Sequence, residues 1–218
     1  MRRLRQNLLL AFCCIAVVGT TAAQGDNAEV LSVENEVDVS KAAAGWSPAS
    51  VGQALAMRDR VRTGEDSRAA VRLSDSSVLR IDEFTETEIL PPQQAASSAT
   101  LDVKQGTAYF FSREKSREVH VKTPSVNGAI RGTEFVVTVA ANGVSTFAML
   151  DGEVELSNSA GSITVRSGER ADVAPGRAPR KTAMIEAVNI IQWCLYYPGV
   201  LNLNDIGFSS AEQRALHS

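Results

Sequence analysis

Cysteine is nearly missing from this chain of 218 residues: there are three, at positions 13, 14 and 194. Cys13 and Cys14 lie in an N-terminal apolar run, so Cys194 is alone in the remainder and an internal disulfide there is excluded. Histidine is as scarce, with only His120 and His217. No His or Cys set has metal-ligand spacing, and neither a Gly-x-Ser-x-Gly elbow nor a glycine-rich phosphate loop is present. Aromatic residues make up 6%. Their one cluster outside the C-terminal region is Tyr109, Phe110 and Phe111, where strand alternation hides at least one ring. These absences leave no catalytic, cofactor-binding or metal-binding residue to assign, and the chain reads as a non-enzyme.

Long apolar runs are also few. Leu8 to Val18 is one, shorter than the roughly 20 residues of a comfortable membrane span. It follows Arg2, Arg3 and Arg5 and precedes Thr21-Ala22-Ala23, so residues 1–23 read as a signal peptide cleaved before Gln24. An uncleaved anchor and lipidation at Cys13 are weaker alternatives, the latter disfavoured by bulky Phe12. Without the three leader arginines the chain has 19 basic against 25 acidic residues, a net charge of −6. No basic stretch is left to track a phosphate backbone, so nucleic acid is excluded as a partner class. The expected location is the periplasm or cell envelope of a bacterium, and a membrane is met only through an uncleaved leader.

What the sequence does have is strand patterning. Thr123 to Leu156 is the most legible stretch. Phe135, Val137 and Val139 alternate with Glu134, Val136 and Thr138. Asn142-Gly143 predicts a two-residue hairpin turn, and Val144 to Leu150 returns with Phe147 and Met149 on one face. Asp151-Gly152 predicts a second turn, into Glu153 to Leu156. Both faces of the middle strand are largely apolar, which suits a strand covered on both sides. Upstream, Glu29 to Val33 and Glu36 to Ser40 predict a first hairpin. Trp46 is a core or edge plug. Arg68 to Leu73 and Val78 to Ile81 pair across a turn at Asp75-Ser76-Ser77. Turn residues recur at about 8–12-residue intervals, as in an all-β domain.

The acidic run Asp82, Glu83, Glu86 and Glu88 reads as a solvated strand face, since it lacks the glycine of a calcium loop. Pro91 to Thr100 reads as a flexible loop. Leu101-x-Val103-x-x-Gly106 shares its spacing with Ile163-x-Val165-x-x-Gly168, and short strands ended by glycine turns fit a stacked, solenoid-like fold as well as a sandwich. Glu118 to Lys122 is a strand with Val119 and Val121 inward and His120 at the surface. It leads into Thr123-Pro124, and Arg131-Gly132-Thr133 opens the longest strand, with Gly132 allowing a bulge or a close backbone approach.

These residues carry a family resemblance. Trp46, Gly52 to Leu55, Asp59 to Gly64, Arg68 to Leu73, Gly106, Val121 to Pro124, Arg131-Gly132-Thr133-x-Phe135, Asp151-Gly152-x-Val154 and Gly161 to Gly168 together resemble a FecR domain, over roughly residues 28–173. Asp75-Ser76-Ser77 departs from the family's usual Asp-Gly-Ser. The resemblance implies a non-catalytic, extracytoplasmic, stacked or solenoid-like antiparallel β domain, sandwich-like in form, assigned to residues 24–176. Signalling members of the family are similar to transmembrane anti-sigma regulators with a cytosolic segment. With an apolar run beginning by residue 8, no such segment is expected here, and that function does not transfer.

Residues 177–218 change character. Arg177 to Lys181 reads as a basic linker. Met184, Val188, Ile191 and Leu195 then recur at helical spacing, with Thr182 as cap and Pro198 as stop. Ser209-x-x-Glu212 is a capping box for a second short helix. Cys194 reads as an inert buried thiol beside Trp193. The run Trp193, Leu195, Tyr196, Tyr197, Pro198 is similar to the segment that joins some FecR domains to tetratricopeptide repeats. Trp193, Leu195, Tyr196 and Tyr197 are therefore the expected contact residues of a helical docking tail, for a protein partner or for self-association. Two functional readings stay open, a binding or scaffolding module and a sensory module of an envelope signalling pathway. A glycan-binding domain is a third.

Overall fold

The computed structural model describes residues 28–42, 44–73, 77–90, 100–113 and 118–182. The expected signal peptide, the Asp75-Ser76 turn, most of the Pro91 loop, Cys194, His217 and the tail from residue 183 lie outside the described residues. Every described element is a β-strand: β1 (Ala28–Glu34), β2 (Val37–Ser40), β3 (Trp46–Pro48), β4 (Ala54–Leu55), β5 (Arg60–Thr63), β6 (Arg68–Arg72), β7 (Val78–Ile81), β8 (Glu86–Leu90), β9 (Thr100–Phe111), β10 (Val119–Lys122), β11 (Asn127–Val139), β12 (Ser145–Asn158), β13 (Gly161–Arg166), β14 (Arg170–Val173) and β15 (Arg180–Thr182). The fold is all-β, as expected.

The strands form one continuous sheet bent into two arms. Arm I runs β4–β1–β6–β7–β9–β11–β12–β14–β15. Arm II runs β3–β2–β5–β8–β9–β10–β11–β12–β13. The long strands β9, β11 and β12 belong to both. The first half of β9 pairs with β8 and β10, its second half with β7 and β11. The pairing of β9 with β10 is parallel, so the sheet is mixed rather than wholly antiparallel. One core lies between the arms. Val71, Leu79, Phe110, Phe135 and Phe147 of arm I share it with Val39, Val61, Leu101, Ile130 and Leu156 of arm II. Phe110 and Phe135 stack with ring centroids 4.9 Å apart.

The chain changes arm at residues that accept a left-handed backbone. Asn35 (φ 57°) takes β1 of arm I into β2 of arm II. Asp66 (φ 50°) takes β5 back to β6, and Phe84 (φ 50°) takes β7 to β8. The crossings lie side by side and bond to one another: Asn35 Nδ2 donates to the Asp66 carbonyl at 2.6 Å, and the Glu36 amide donates to Ser67 Oγ at 2.9 Å. This is why the first expected hairpin does not form. β1 and β2 exist, but β1 pairs with β4 and β6, whereas β2 pairs with β3 and β5. Thr63 and Thr85 fasten the same corner. The Thr63 hydroxyl donates to the Asp82 carbonyl and accepts from the Thr85 amide, and Thr85 Oγ1 accepts from the Thr107 amide at 2.9 Å.

The opposite corner corrects two more expectations. Asp151-Gly152 is not a turn, because β12 runs through it; nor does Arg131-Gly132-Thr133 open β11, since it lies within it. Gly132 and Gly152 face each other across a register shift, Gly152 at φ 110°. A Cβ on Gly152 would sit 2.3 Å from the Gly132 Cα, and one on Gly132 would sit 2.3 Å from the Asp151 carbonyl oxygen. The two backbones touch, and both strands bend from one arm into the other. Gly132 thus provides both a bulge and a close approach.

Smaller differences follow from hydrogen bonding. Between β11 and β12 the Gly143 amide donates to the Ala140 carbonyl, and the Ala140 amide to the Val144 carbonyl. Gly143 takes φ 80° while Asn142 is not left-handed, which makes a three-residue loop rather than the expected two-residue turn. At the C-terminal side Thr182, expected as a helix cap, is the last residue of β15, and the helix it would cap lies outside the described residues. The supposed linker residues Arg180 and Lys181 pair with Asp172 and Ala171 of β14. The spacing shared by Leu101 to Gly106 and Ile163 to Gly168 has a structural meaning. Each places arm II strand residues ahead of a left-handed glycine, after which the chain enters arm I.

Candidate contact surfaces

Each arm has one face toward the core and one away from it, and the two outer faces differ. On arm II, β5 presents Arg60 and Arg62, β8 presents Glu86 and Glu88, β9 presents Asp102 and Lys104, and β10 presents Lys122. Neighbouring strands alternate in charge and pair: Arg60 with Glu86 at 3.2 Å, Arg62 with Asp38 at 2.7 Å, Lys104 with Glu88 at 3.9 Å. Cross-strand opposite charges are the sheet's usual way of holding a wet face in register. Asp102 is the buried member, flanked by Lys104 and Lys122. The acidic run expected to be solvated is here. Glu86 pairs with Arg60, Asp82 accepts from Arg68 Nε at 3.0 Å, and Glu83 accepts from the Asp66 amide.

Trp46 closes this face at its rim. It lies on β3, the edge strand of arm II, half-buried, as an edge plug and not a core residue. The guanidinium carbons of Arg60 and Arg62 lie 4.8 and 4.4 Å from its ring centroid. Each arginine thus holds an acid on one side and an aromatic face on the other, a sandwich that fixes long side chains in place. Asp59, buried at the start of β5, accepts from the Ala42 and Ala56 amides and locks the loops beside Trp46.

On arm I the centre of the outer face is apolar, flanked on the same face by Thr107 and Thr138. Tyr109, Val136 and Ala148 lie directly opposite one another on β9, β11 and β12, with Phe111 and Leu150 packed against them. Tyr109 donates to Glu134 Oε1 at 2.6 Å, and Arg80 lies over its ring at 5.3 Å. The aromatic cluster therefore splits. Phe110 joins the core, while Tyr109 and Phe111 go to the outer face. Sequence reading missed this patch as a site. Its signal was the apolar character of both faces of Thr133 to Ala140.

His120, expected at the surface, is half-buried, with Nε2 3.2 Å from Glu118 Oε1, and Glu118 also pairs with Arg131 at 2.8 Å. Its strand lies between β9 and β11 in the sheet. At the edge strand β15, Lys181 Nζ donates to Glu169 Oε2 at 2.6 Å. That bond, together with the Arg166 amide, holds the Glu169 carboxyl below its ordinary value of 4.5. Among the described residues no three His, Cys, Asp or Glu side chains are grouped to hold a metal ion. The expected contact residues Trp193, Leu195, Tyr196 and Tyr197 lie outside the described residues. Among the described residues two large apolar side chains stand in solvent, Val51 and Phe84, the latter 55% exposed at the left-handed crossing between β7 and β8.

A solved structure of a candidate anti-sigma factor from Parabacteroides distasonis, at 2.50 Å resolution, superposes with a TM-score of 0.53 at 15% identity, over 62% of this chain and 63% of that one. A second structure of that description, at 1.65 Å, matches with the same TM-score and identity over 64% of its chain. The likeness is one of fold, and this chain spans less than two thirds of those proteins. No curated protein matches. A family model described as FecR protein matches residues 59–155, from the Asp59 lock through both glycine bends to the second half of β12. Those strands build both arms and the bends between them, and over residues 59–155 the chain is accordingly similar to the FecR protein family.

Proposed function

We propose that this chain is a non-catalytic protein-contact module of the bacterial cell envelope, serving regulation or scaffolding outside the cytoplasm. The observation that carries it is the FecR match over the strands that bend between the arms. The charge economy of the arm II face favours the same reading. Its arginines and carboxylates are spent on each other and on Trp46, a pattern suited to a rigid recognition surface rather than to proton transfer in a cleft. The described role of the P. distasonis neighbours favours regulation over passive support. Export rests on the leader-like residues 1–23, and partner contact or self-association on the tail residues Trp193, Leu195, Tyr196 and Tyr197.

The test places a photo-crosslinking amino acid at Arg62, Lys122 or Trp193 in the producing cell and fractionates it. The mature chain should be released with the periplasmic contents and start at Gln24, and a discrete protein adduct should form from the arm II face or from Trp193. A chain retained in the cytosol, or one that gives no adduct from any of these positions, overturns the reading.

A further inference from the structure

A sheet face turned to water carries polar side chains, as the outer face of arm II does. The central row of arm I's outer face, from Ala70 through Arg80, Tyr109 and Val136 to Ala148, holds one charge, and its residues are buried. Val136 is 5% exposed, Tyr109 5% and Ala148 1%. Ala70 and Arg80, in line with them on β6 and β7, are buried too. No described strand packs over this face, for all of them lie within one or other arm. An apolar stripe crossing β12, β11 and β9 at the centre of a sheet requires a cover.

The chain supplies one at the right place. β15 ends at Thr182 on the edge of arm I, next to β14, which is next to β12. Two strand spacings, about 10 Å, separate that end from Ala148. The residues that follow, Ala183 to Tyr197, contain a single charge, Glu186, and repeat apolar positions at Met184, Val188, Ile191 and Leu195. Were those 15 residues helical, they would extend about 22 Å, the width of four strands. That length would carry them from β12 across β11 and β9 to β7, the extent of the buried stripe.

We propose that residues 183–197 of this same chain lie across the outer face of arm I, seating their apolar side on Tyr109, Val136, Ala148 and Leu150. The tail is then a cover in cis, and any partner that captures Trp193, Tyr196 or Tyr197 must first displace it or bind the side it leaves outward. This placement stands whether or not the chain acts in regulation.

The test uses the full chain with Trp46→Phe, which makes Trp193 the sole tryptophan reporter. Its emission should be blue-shifted and weakly quenched by acrylamide, independent of protein concentration. Ala148→Glu on the face, Leu150→Lys at its rim and Ile191→Asp on the tail should each red-shift the emission and raise quenching severalfold, with the strand signal in far-UV circular dichroism kept. Ile191→Asp leaves the β domain's own residues unchanged, so it reports even where a face variant fails to fold. A Trp193 freely quenched in the parent overturns the proposal. So does shielding that vanishes on dilution, which marks a second copy as the cover, or a Trp193 that Ile191→Asp exposes while well-folded face variants leave it unchanged.

Discussion

At the residue scale the fold depends on backbone more than on side-chain chemistry. The two bends that take β11 and β12 between arms require Gly132 and Gly152 in contact, with no room for a Cβ on either. Gly152→Ala adds a methyl 2.3 Å from a neighbouring Cα and forces a side-chain-bearing residue to φ 110°. It should cost about 3 kcal/mol, at the upper end of ordinary substitutions, because strain and overpacking act together. Urea unfolding of the variant against the parent measures it, and a loss under about 1 kcal/mol would mean that the strands separate at no cost to the arms. Asn35, Asp66 and Phe84 do the equivalent work at the other corner. Asn and Asp tolerate that conformation, and Phe84 is held in it by its neighbours, its amide donating to the Gly64 carbonyl.

At the element scale the edge strands are held by few groups, and β15 is the case in point. Among the described strands it pairs only with β14, and a side-chain tie there is Lys181 to Glu169. The Glu169 carboxyl is held below 4.5 in the folded chain by the Lys181 hydrogen bond first and the Arg166 amide second. A folded-state value below the unfolded one means that this tie contributes fully above pH 4.5 and is lost as pH falls through the lowered value. Amide exchange in β15, corrected for intrinsic rates, should therefore accelerate on acidification below that pH. Lys181→Met should abolish the step by removing the larger cause. An unchanged acid response in Lys181→Met would assign the loosening to another group.

At the scale of the whole molecule the two arms are one cooperative unit. β9, β11 and β12 each contribute a half to both, and a single core lies between them. One arm cannot unfold without stripping half of each long strand from the other. Urea transitions followed by Trp46 fluorescence at the arm II edge and by far-UV circular dichroism should superimpose. Two separated transitions would show that the bends act as hinges between independent units. The Trp46 measurement is best made in the Trp193→Phe chain, so that the probe reports the arm II rim alone.

The strands themselves were legible because period-two alternation is local. Phe135, Val137 and Val139, or Ala69, Val71 and Leu73, declare a buried face without reference to anything distant. The small set of glycines and the Asp59 to Gly64 segment carried the family. Strand partners were not legible. Val37 to Ser40 looks like the return of Glu29 to Val33, yet its partner begins at Arg60, because the choice is made by an arm crossing rather than by the intervening turn. Asp151-Gly152 has the composition of a turn and serves as a bend, since Gly132, 20 residues earlier in sequence, stands opposite it. The sequence by itself determined an all-β chain with FecR-like motifs and an apolar C-terminal stretch, since side-chain periodicity and backbone permissiveness are properties of neighbouring residues. Which strands meet, which glycines bend and which outer face is left apolar were decided only by the tertiary structure, because each depends on what packs against it from the far side of the chain.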